Sequence, residues 1–144
     1  MHFSFRNHLL TCLLIGILIG IGASAQESKP KTVPAEAAVQ EIEATEVKKK
    51  LDRGDAFILI DVREQHEWDA GHIEAARHIP LKELKDQLNQ LDKNSEVIVY
   101  CKSGKRSQTG GKILKEAGFP NVQSMKGGIT AWVEKVDPSM PKPE

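Results

Sequence analysis

The fold of this chain is decided by residues 97–107, which read VIVYCKSGKRS. The first four residues form an unbroken apolar run rich in β-branched side chains, as is typical of a strand buried on both faces. Cys101 follows the run directly, Gly104 interrupts the polar segment behind it, and a helical pattern begins at Ser107. A strand, a short loop and a helix in this order predict one unit of a parallel sheet.

Strand-like and helix-like patterns alternate through the rest of the chain. A second apolar run at residues 57–60 predicts another central strand. Weaker strand patterns cover residues 39–42, 77–79 and 122–124. Helical spacing covers residues 46–51, 81–91, 107–117 and 128–136. The alternation predicts an α/β domain of three layers, in which a central, mainly parallel five-stranded sheet is flanked by helices.

Composition divides the 144 residues into four segments. Residues 1–25 place Arg6 before an apolar run and end in Ala-Ser-Ala, which predicts a signal peptide cleaved after Ala25. Residues 26–38 are rich in Lys, Pro, Glu and Ala and predict a linker. Residues 39–137 are the expected folded domain, and the recurring prolines of residues 138–144 predict a flexible C-terminal tail.

The N-terminal segment leaves one alternative open. The apolar run at residues 9–22 would act as a membrane anchor if it stayed uncleaved, although Thr11 and three glycines weaken it as the ~20-residue span a bilayer requires. We expect an exported protein with a periplasmic location, and secretion or membrane tethering are the alternatives. Contact with the membrane is expected only if the signal is retained.

Charge and cysteine content narrow the function classes. The chain has 20 basic and 20 acidic residues, and cleavage after Ala25 leaves 19 and 20, a net charge of −1. This balance gives no electrostatic reason to expect nucleic acid as a partner. The same cleavage removes Cys12, so Cys101 would be left without a disulfide partner in its own chain. A buried apolar cysteine is common in protein cores, so the neighbouring sequence has to decide its role.

The loop behind Cys101 has the composition of an anion cradle. Ligands of open α/β sheets bind at the carboxyl ends of strands, where this loop lies. Gly104 would let the backbone N–H groups turn inward around the sulfur, and the helix that follows would add its positive end. Lys102, Lys105 and Arg106 bring three cations close to the thiol, a setting that stabilises a thiolate. The cations alone would equally fit a solvated surface loop.

Four motifs in this order resemble those of the rhodanese family. Residues 101–107, CKSGKRS, fit its active-site loop, and residues 59–64, LIDVRE, fit its Asp-Val-Arg segment. Residues 71–73, GHI, with Ile79-Pro80 fit a third motif, and residues 127–132, GGITAW, fit the closing helix. Together the motifs cover essentially the whole expected domain. Ala75 departs from the glycine that the family often has there.

The resemblance implies a sulfurtransferase that works through a persulfide on Cys101, the nucleophile. A donor such as thiosulfate would give up its outer sulfur, and a thiol or cyanide would then collect it. The implied substrate-binding residues are Lys102, Ser103, Gly104, Lys105 and Arg106. The implied supporting residues are Asp61, Arg63 and Ser107. No metal or organic cofactor is implied, and the six-residue spacing of His66, His72 and His78 matches no metal-ligand pattern.

Loop length separates the rhodanese resemblance from related phosphatases and arsenate reductases. Those enzymes place five residues between cysteine and arginine, whereas four separate Cys101 from Arg106. The shorter loop predicts room for a single sulfur and a poor fit for a phosphoryl group. Two alternatives stay open, an exported persulfide carrier and a binding module without turnover of small donors. We expect a monomer, because no long amphipathic stretch remains after one domain is built.

Overall fold

The computed structural model describes residues 38–143, and all structural statements concern that part of the chain. Five strands form one parallel sheet in the order β1-β5-β4-β2-β3. The strands are β1 (Gln40–Ile42), β2 (Ile58–Asp61), β3 (Arg77–His78), β4 (Val97–Tyr100) and β5 (Val122–Met125). The predicted α/β fold with a five-stranded parallel sheet is confirmed.

Five helices connect and cover the strands. They are α1 (Ala44–Arg53), α2 (Gln65–Ala70), α3 (Leu84–Gln87), α4 (Lys105–Glu116) and α5 (Gly128–Lys135). Side chains of α3 and α4 belong to one core cluster, and side chains of α1 and α5 belong to a second. The sheet therefore lies between two helical layers, as right-handed crossovers between parallel strands require.

Strand β4 shows why the domain has three layers. Its four side chains are fully buried and alternate between the two faces of the sheet. One face packs with α3 and α4 in a cluster that includes Val97, Val99, Leu84 and Leu114. The other packs with α1 and α5 in a cluster that includes Ile98, Tyr100, Val47 and Trp132. Burial of each such side chain contributes about 1.5–3 kcal/mol, so an uninterrupted apolar strand is stable only in this central position.

The register of the central strands brings two sequence motifs to one edge of the sheet. Asp61, the last residue of β2, lies opposite Tyr100, the last residue of β4. The segment that begins with Arg63 and the loop that begins with Cys101 therefore leave the sheet side by side, at the carboxyl edge where ligands bind in open α/β sheets.

The prediction of one helix over residues 81–91 was wrong. The structure has only the single turn of α3 and a 3-10 turn at Leu88–Gln90. Leucines spaced by three at each end explain the difference, since Leu84 N–H donates to the Leu81 carbonyl and Leu91 N–H to the Leu88 carbonyl. Such i to i+3 bonds belong to 3-10 geometry, which brings residues three apart onto the same side.

Helix α2 was not predicted from the sequence. Its first turn is closed by a capping box, in which Glu64 accepts from the backbone of Glu67 while the Glu67 carboxylate accepts from Glu64 N–H at 3.0 Å. The usual signal for this motif is Ser or Thr at the first position, and glutamate is not a preferred N-cap. Residue preferences alone therefore do not predict the start of this helix.

The predicted signal peptide and nearly all of the predicted linker, residues 1–37, lie outside the described residues. Within residues 38–143, no helix combines the length and the apolarity needed to cross a membrane. Beyond α5 the chain turns at Asp137, whose carbonyl accepts from Met140 N–H at 3.2 Å. The Met140 side chain packs against the core cluster that contains Trp132.

Candidate active site

Cys101 lies at the carboxyl end of β4 with 1% of its surface exposed. Its Sγ accepts a hydrogen bond from the backbone N–H of Gly104 at 3.1 Å. Gly104 is the N-cap of the 12-residue helix α4 and has a φ of +105°, the positive φ expected from the sequence. The sulfur therefore faces an N–H group and the positive end of a helix, both of which favour negative charge on it.

The first residues of α5 hold the same loop from the other side. Ile129 N–H donates to the Cys101 carbonyl at 2.8 Å. Thr130 donates twice to the Lys102 carbonyl, from its N–H at 3.1 Å and from its hydroxyl at 2.9 Å. Two carbonyls of the loop are thus bonded to α5, which leaves N–H groups for the loop to offer to the sulfur.

Gly128 permits this close contact between α5 and the loop. A Cβ atom at this position would lie 2.2 Å from the Cys101 carbonyl oxygen and 2.6 Å from that of Lys102. The residue also has a φ of +57°. No side chain larger than hydrogen fits there without moving the loop that carries the thiol.

A pair of buried hydroxyls lies beside the sulfur. Ser107 Oγ, on the first turn of α4, is 3.7 Å from Cys101 Sγ and donates to the Gly104 carbonyl at 2.9 Å. Ser124 Oγ, on β5, is 2.8 Å from Ser107 Oγ. Both serines are fully buried. The sulfur therefore has two polar neighbours in van der Waals or hydrogen-bond range, the Gly104 N–H and the Ser107 hydroxyl.

Arg106 is engaged by a carboxylate from α2. Its Nη1 and Nη2 donate to the two oxygens of Glu67 at 2.6 and 2.7 Å, a two-pronged ion pair. The hydrogen bond from Arg106 and the bond from Glu64 N–H outweigh the effect of burial and lower the pKa of Glu67 to about 2. The same bond raises the pKa of Arg106. An incoming anion would meet an ion pair at this position and not a free guanidinium.

Lys102 and Lys105 remain as the other cations of the loop. Lys102 is half-buried and Lys105 is exposed at the first position of α4. Neither has a carboxylate oxygen within 4 Å among residues 38–143. Their charges are therefore available to a ligand that approaches the loop.

Asp61 and Arg63 form a buried ion pair next to the loop. Arg63 is 2% exposed, and its Nε and Nη2 donate to both oxygens of Asp61 at 2.6–3.0 Å. Nη2 also donates to the Gly71 carbonyl at 2.8 Å. Burial favours the neutral guanidine, but the hydrogen bond and charge of Asp61 outweigh it and raise the pKa of Arg63. The pair ties the end of β2 to the end of α2, and neither side chain is hydrogen-bonded to the thiol.

The histidines marked in the sequence belong to the scaffold around α2. The rings of His72 and His78 both stack on Trp68, at centroid distances of 3.6 and 4.8 Å. His78 Nε2 also donates to the Arg63 carbonyl at 2.9 Å. His66 lines a cleft of about 240 Å³ between α2 and the segment after α5, together with Glu67 and Lys142. In the described part of the chain, no three His, Cys, Asp or Glu side chains gather as a metal site would require.

The family model of the rhodanese-like domain matches residues 43–135, which include every helix of the fold and the whole loop behind Cys101. The chain belongs to the rhodanese-like domain family, and its relatives include proteins named as sulfurtransferases and as a sulfur carrier. The resemblance inferred from the four sequence motifs is thereby confirmed.

Two curated relatives come from Bacillus subtilis strain 168. The chain is 33% identical over 101 residues to "Putative sulfur carrier protein YrkF", covering 70% of this chain and 55% of the relative. It is 36% identical over 100 residues to "Putative sulfurtransferase YtwF", covering 69% of this chain and 96% of the relative. The chain thus spans about half of the first relative, and only 22–25% of several longer adenylyltransferase and sulfurtransferase proteins.

A solved structure shows the same fold. The crystal structure of a rhodanese-like domain protein from Staphylococcus aureus superimposes with a TM-score of 0.64 at 28% identity. The match covers 74% of this chain and all of that one. The structural match and the family model thus both indicate a rhodanese-like domain.

The structure brings together some of the predicted site residues and separates others. Cys101, Gly104 and Ser107 are in direct contact, whereas Ser103 is exposed on the rim of the loop. Sequence reasoning missed Glu67 and Ser124. The Glu64-x-x-Glu67 spacing could have pointed to Glu67, and a lone serine between the apolar ends of β5 could have pointed to Ser124.

Proposed function

We propose that this chain moves a sulfane sulfur from thiosulfate, or a similar anionic donor, to a thiophilic acceptor through a persulfide on Cys101. The observation that carries the proposal is the hydrogen bond that Gly104 N–H, at the start of α4, donates to the nearly buried Sγ of Cys101. Hydrogen-bond donors and helix N-termini next to a cysteine favour the thiolate, which is the nucleophilic form.

The proposed transfer takes two steps. In the first, the Cys101 thiolate attacks the outer sulfur of thiosulfate, an Sγ–S bond forms, and the S–S bond of the donor breaks with its electron pair leaving on sulfite. In the second, cyanide or a thiolate attacks the terminal sulfur and the Cys101 thiolate leaves. Charge remains near the same point throughout, so the Gly104 N–H and the α4 N-terminus stabilise the sulfur in both steps.

The loop favours sulfur over phosphorus as the transferred atom. Four residues separate Cys101 from Arg106, one fewer than in the related phosphatases, so a smaller ring of backbone N–H groups surrounds a sulfur that is almost completely buried. Lys102 and Lys105, free of ion pairs with other described residues, supply the charge that attracts an anionic donor. Appreciable hydrolysis of a phosphate ester by the purified protein would contradict this reading of the loop.

The proposal is tested by thiosulfate:cyanide sulfurtransferase activity of the protein and of its Cys101→Ser variant, followed as thiocyanate formation. We expect turnover by the protein and none by the variant, and mass spectrometry should show one added sulfur on Cys101 after exposure to thiosulfate. A protein that acquires neither a sulfur adduct nor turnover would refute the assignment and favour a binding module.

A persulfide carrier is the second candidate, and the name of YrkF favours it, since that relative is described as a sulfur carrier. A carrier would accept sulfur on Cys101 and keep it until a particular protein acceptor arrives. Loading the protein with one equivalent of sulfur and following the adduct would separate the two functions. Rapid loss to cyanide or small thiols indicates an enzyme, and a persistent adduct that only a protein thiol removes indicates a carrier.

We also propose that the chain is exported to the periplasm. The support is the order of Arg6, the apolar run at residues 9–22 and the Ala-Ser-Ala tripeptide. Expression of the full chain in a Gram-negative host, followed by fractionation and N-terminal sequencing, should give a periplasmic protein that starts at Gln26. An intact chain in the membrane fraction would indicate an anchor, and an intact chain in the cytosol would refute export.

A further inference from the structure

Ser124 is a fully buried polar residue to which the proposed mechanism gives no role. It lies on β5 opposite Val99 of β4, so its side chain is on the face of the sheet that also carries Cys101 and α4. Its hydroxyl lies 2.8 Å from the Ser107 hydroxyl, which in turn lies 3.7 Å from Cys101 Sγ. Three elements thus contribute one polar group each to a buried row that ends at the sulfur.

Hydrogen-bond accounting orients this row when the thiol is protonated. A serine hydroxyl has one proton to donate and two lone pairs to accept with. The Gly104 carbonyl can only accept, so Ser107 donates to it at 2.9 Å. The two lone pairs of Ser107 are then available to the Cys101 S–H and to the Ser124 O–H. Every polar group in the row is satisfied, as buried groups must be.

Loss of the thiol proton changes what Ser107 has to do. The thiolate can only accept, so the Ser107 proton is the one hydroxyl proton that can reach it. The Gly104 carbonyl keeps a partner if that proton turns away, because Gln108 N–H donates to the same oxygen at 3.1 Å. A Ser124 hydroxyl that donates to Ser107 prevents Ser107 from turning its proton toward β5. The Ser107 proton is thereby left with two acceptors, the Gly104 carbonyl and the thiolate, and the charged acceptor forms the stronger hydrogen bond.

We infer that Ser124 is a positioning residue for the reactive sulfur, which acts by holding the Ser107 proton away from β5, so that this proton can turn from the Gly104 carbonyl to the Cys101 thiolate or persulfide. The inference deepens the proposed function and rests on it where the persulfide is concerned. A hydrogen bond to the charged form of an acid stabilises that form, and polarised chains of hydroxyls do so more strongly than single ones.

The charged groups near the thiol are not part of the hydroxyl row, so a substitution at Ser124 leaves them in place. They are Lys102, Lys105 and Arg106 of the loop, Glu67 of α2, which pairs with Arg106, and the buried ion pair of Asp61 and Arg63 next to the loop. Arg106 interacts electrostatically with the Cys101 sulfur. A change in thiol titration that follows substitution of Ser124 alone therefore reports on the hydroxyl row.

The test is the pH dependence of Cys101 alkylation by iodoacetamide in the full chain, read at the Cys101 peptide by mass spectrometry. Ser124→Thr and Ser124→Val are matched in shape and differ by one hydroxyl. We expect Ser124→Thr to keep the wild-type midpoint and Ser124→Val to move it up by about 0.5 pH units, roughly a threefold loss of thiolate below the midpoint. Ser95→Ala, which changes a serine in the turn before β4, should leave the midpoint unchanged.

Coupling to Ser107 gives the second readout. Ser107→Ala should raise the midpoint at least as far as Ser124→Val does, and combining the two should add nothing, because Ser124 acts only through Ser107. Equal midpoints for Ser124→Thr and Ser124→Val, or additive shifts in the double variant, would overturn the inference. Alkylation needs no sulfur donor, so a shifted midpoint in a protein that acquires neither a sulfur adduct nor turnover would refute the proposed function and leave the positioning role intact.

Discussion

The three cations of the active-site loop have different roles at the scale of single residues. Both terminal nitrogens of Arg106 donate hydrogen bonds to Glu67, whereas Lys102 and Lys105 have no ion-pair partner in the described part of the chain. Only the lysines can change partner without breaking an existing pair. Recognition of an anionic donor should therefore depend on them, and Arg106 should act mainly on the position of α4.

Replacing both lysines tests this division of roles. Lys102→Ala with Lys105→Ala should raise KM for thiosulfate about tenfold with a smaller change in kcat, because charges without an ion-pair partner act chiefly on the encounter with the anion. Lys112→Ala is the matched control, since Lys112 is exposed farther along α4. Steady-state kinetics at low and high salt should show the difference shrinking as salt rises. Equal KM values at low salt would assign donor recognition to other groups.

The buried pair of Asp61 and Arg63 predicts a stability effect of a different size. Asp61→Asn removes the counter-charge of a guanidinium that is 2% exposed, and we expect a loss of about 3–5 kcal/mol in the free energy of unfolding. Urea unfolding at pH 7 measures it. The double variant Asp61→Leu with Arg63→Met should lose less than Asp61→Asn does, since it leaves no buried charge unpaired. A smaller effect for the single variant would mean that water reaches the pair.

Residues that act through local geometry could be predicted from the sequence, and residues that act across the fold could not. Cys101 and Gly104 lie three apart in one loop, so a strand, a glycine and a helix were enough to place an N–H at the sulfur. Glu67 reaches Arg106 from 39 residues away, and Ser124 reaches Ser107 from 17. Local patterns mark Glu67 and Ser124 as unusual residues, but their partners depend on strand register and on the packing of α2.

At the scale of elements, α5 and the loop are held together through backbone atoms. Gly128→Ala should remove more than about 3 kcal/mol from the free energy of unfolding, because a Cβ would lie 2.2 Å from the Cys101 carbonyl oxygen and φ is +57°. Gly54→Ala is the control, with a φ of +71° and no atom within 4 Å of the added Cβ. It should cost about 1–2 kcal/mol from backbone strain alone. Thermal or urea unfolding of the two variants separates the effect of the clash from that of the strain. Equal losses of unfolding free energy would show that α5 can shift away from the loop without destabilising the fold.

Helix boundaries show the same limit at this scale. Long elements with strong patterns were predicted to within two residues, as in α4, predicted over 107–117 and observed at Lys105–Glu116. The leucine spacing of residues 81–91 also fitted one continuous helix, but the segment forms one turn of α-helix followed by one 3-10 turn. Helix α2 was missed because its cap uses two glutamates, and its stability comes from the contacts of Trp68 and Glu67 with other parts of the fold.

At the scale of the whole molecule, the Glu67–Arg106 pair links stability to acidity. The pKa of Glu67 in the folded protein is lowered to about 2 by the Arg106 hydrogen bond, from a value near 4.5 when unpaired. A lowered pKa means that the unfolded state binds the proton first. The contribution is therefore fully present above pH 4.5 and is lost as the pH falls toward 2.

We expect this contribution to be on the order of 2 kcal/mol after allowance for solvent screening. Urea unfolding from pH 7 to pH 2 should show the stability of the wild type falling toward that of Glu67→Gln, whose amide does not titrate. Glu74→Gln, which changes an exposed carboxylate, should follow the wild type throughout. A constant gap between wild type and Glu67→Gln would mean that the pair contributes through shape and not through charge.

The order of the strands also determines when, during synthesis, the Cys101 thiol gains the hydrogen-bonded loop that surrounds it. Strand β1 is hydrogen-bonded only to β5 among the described strands. The Cys101 and Lys102 carbonyls accept hydrogen bonds from α5, so these bonds cannot form until α5 has been synthesised. On the ribosome, Cys101 emerges well before residues 122–130 do, so the thiol exists for a time without its cradle. Parallel pairing over such separations forms late in folding. Residues 122–130 therefore have to be synthesised before the sulfur is protected, and the nascent chain passes through a stage in which Cys101 is open to oxidants.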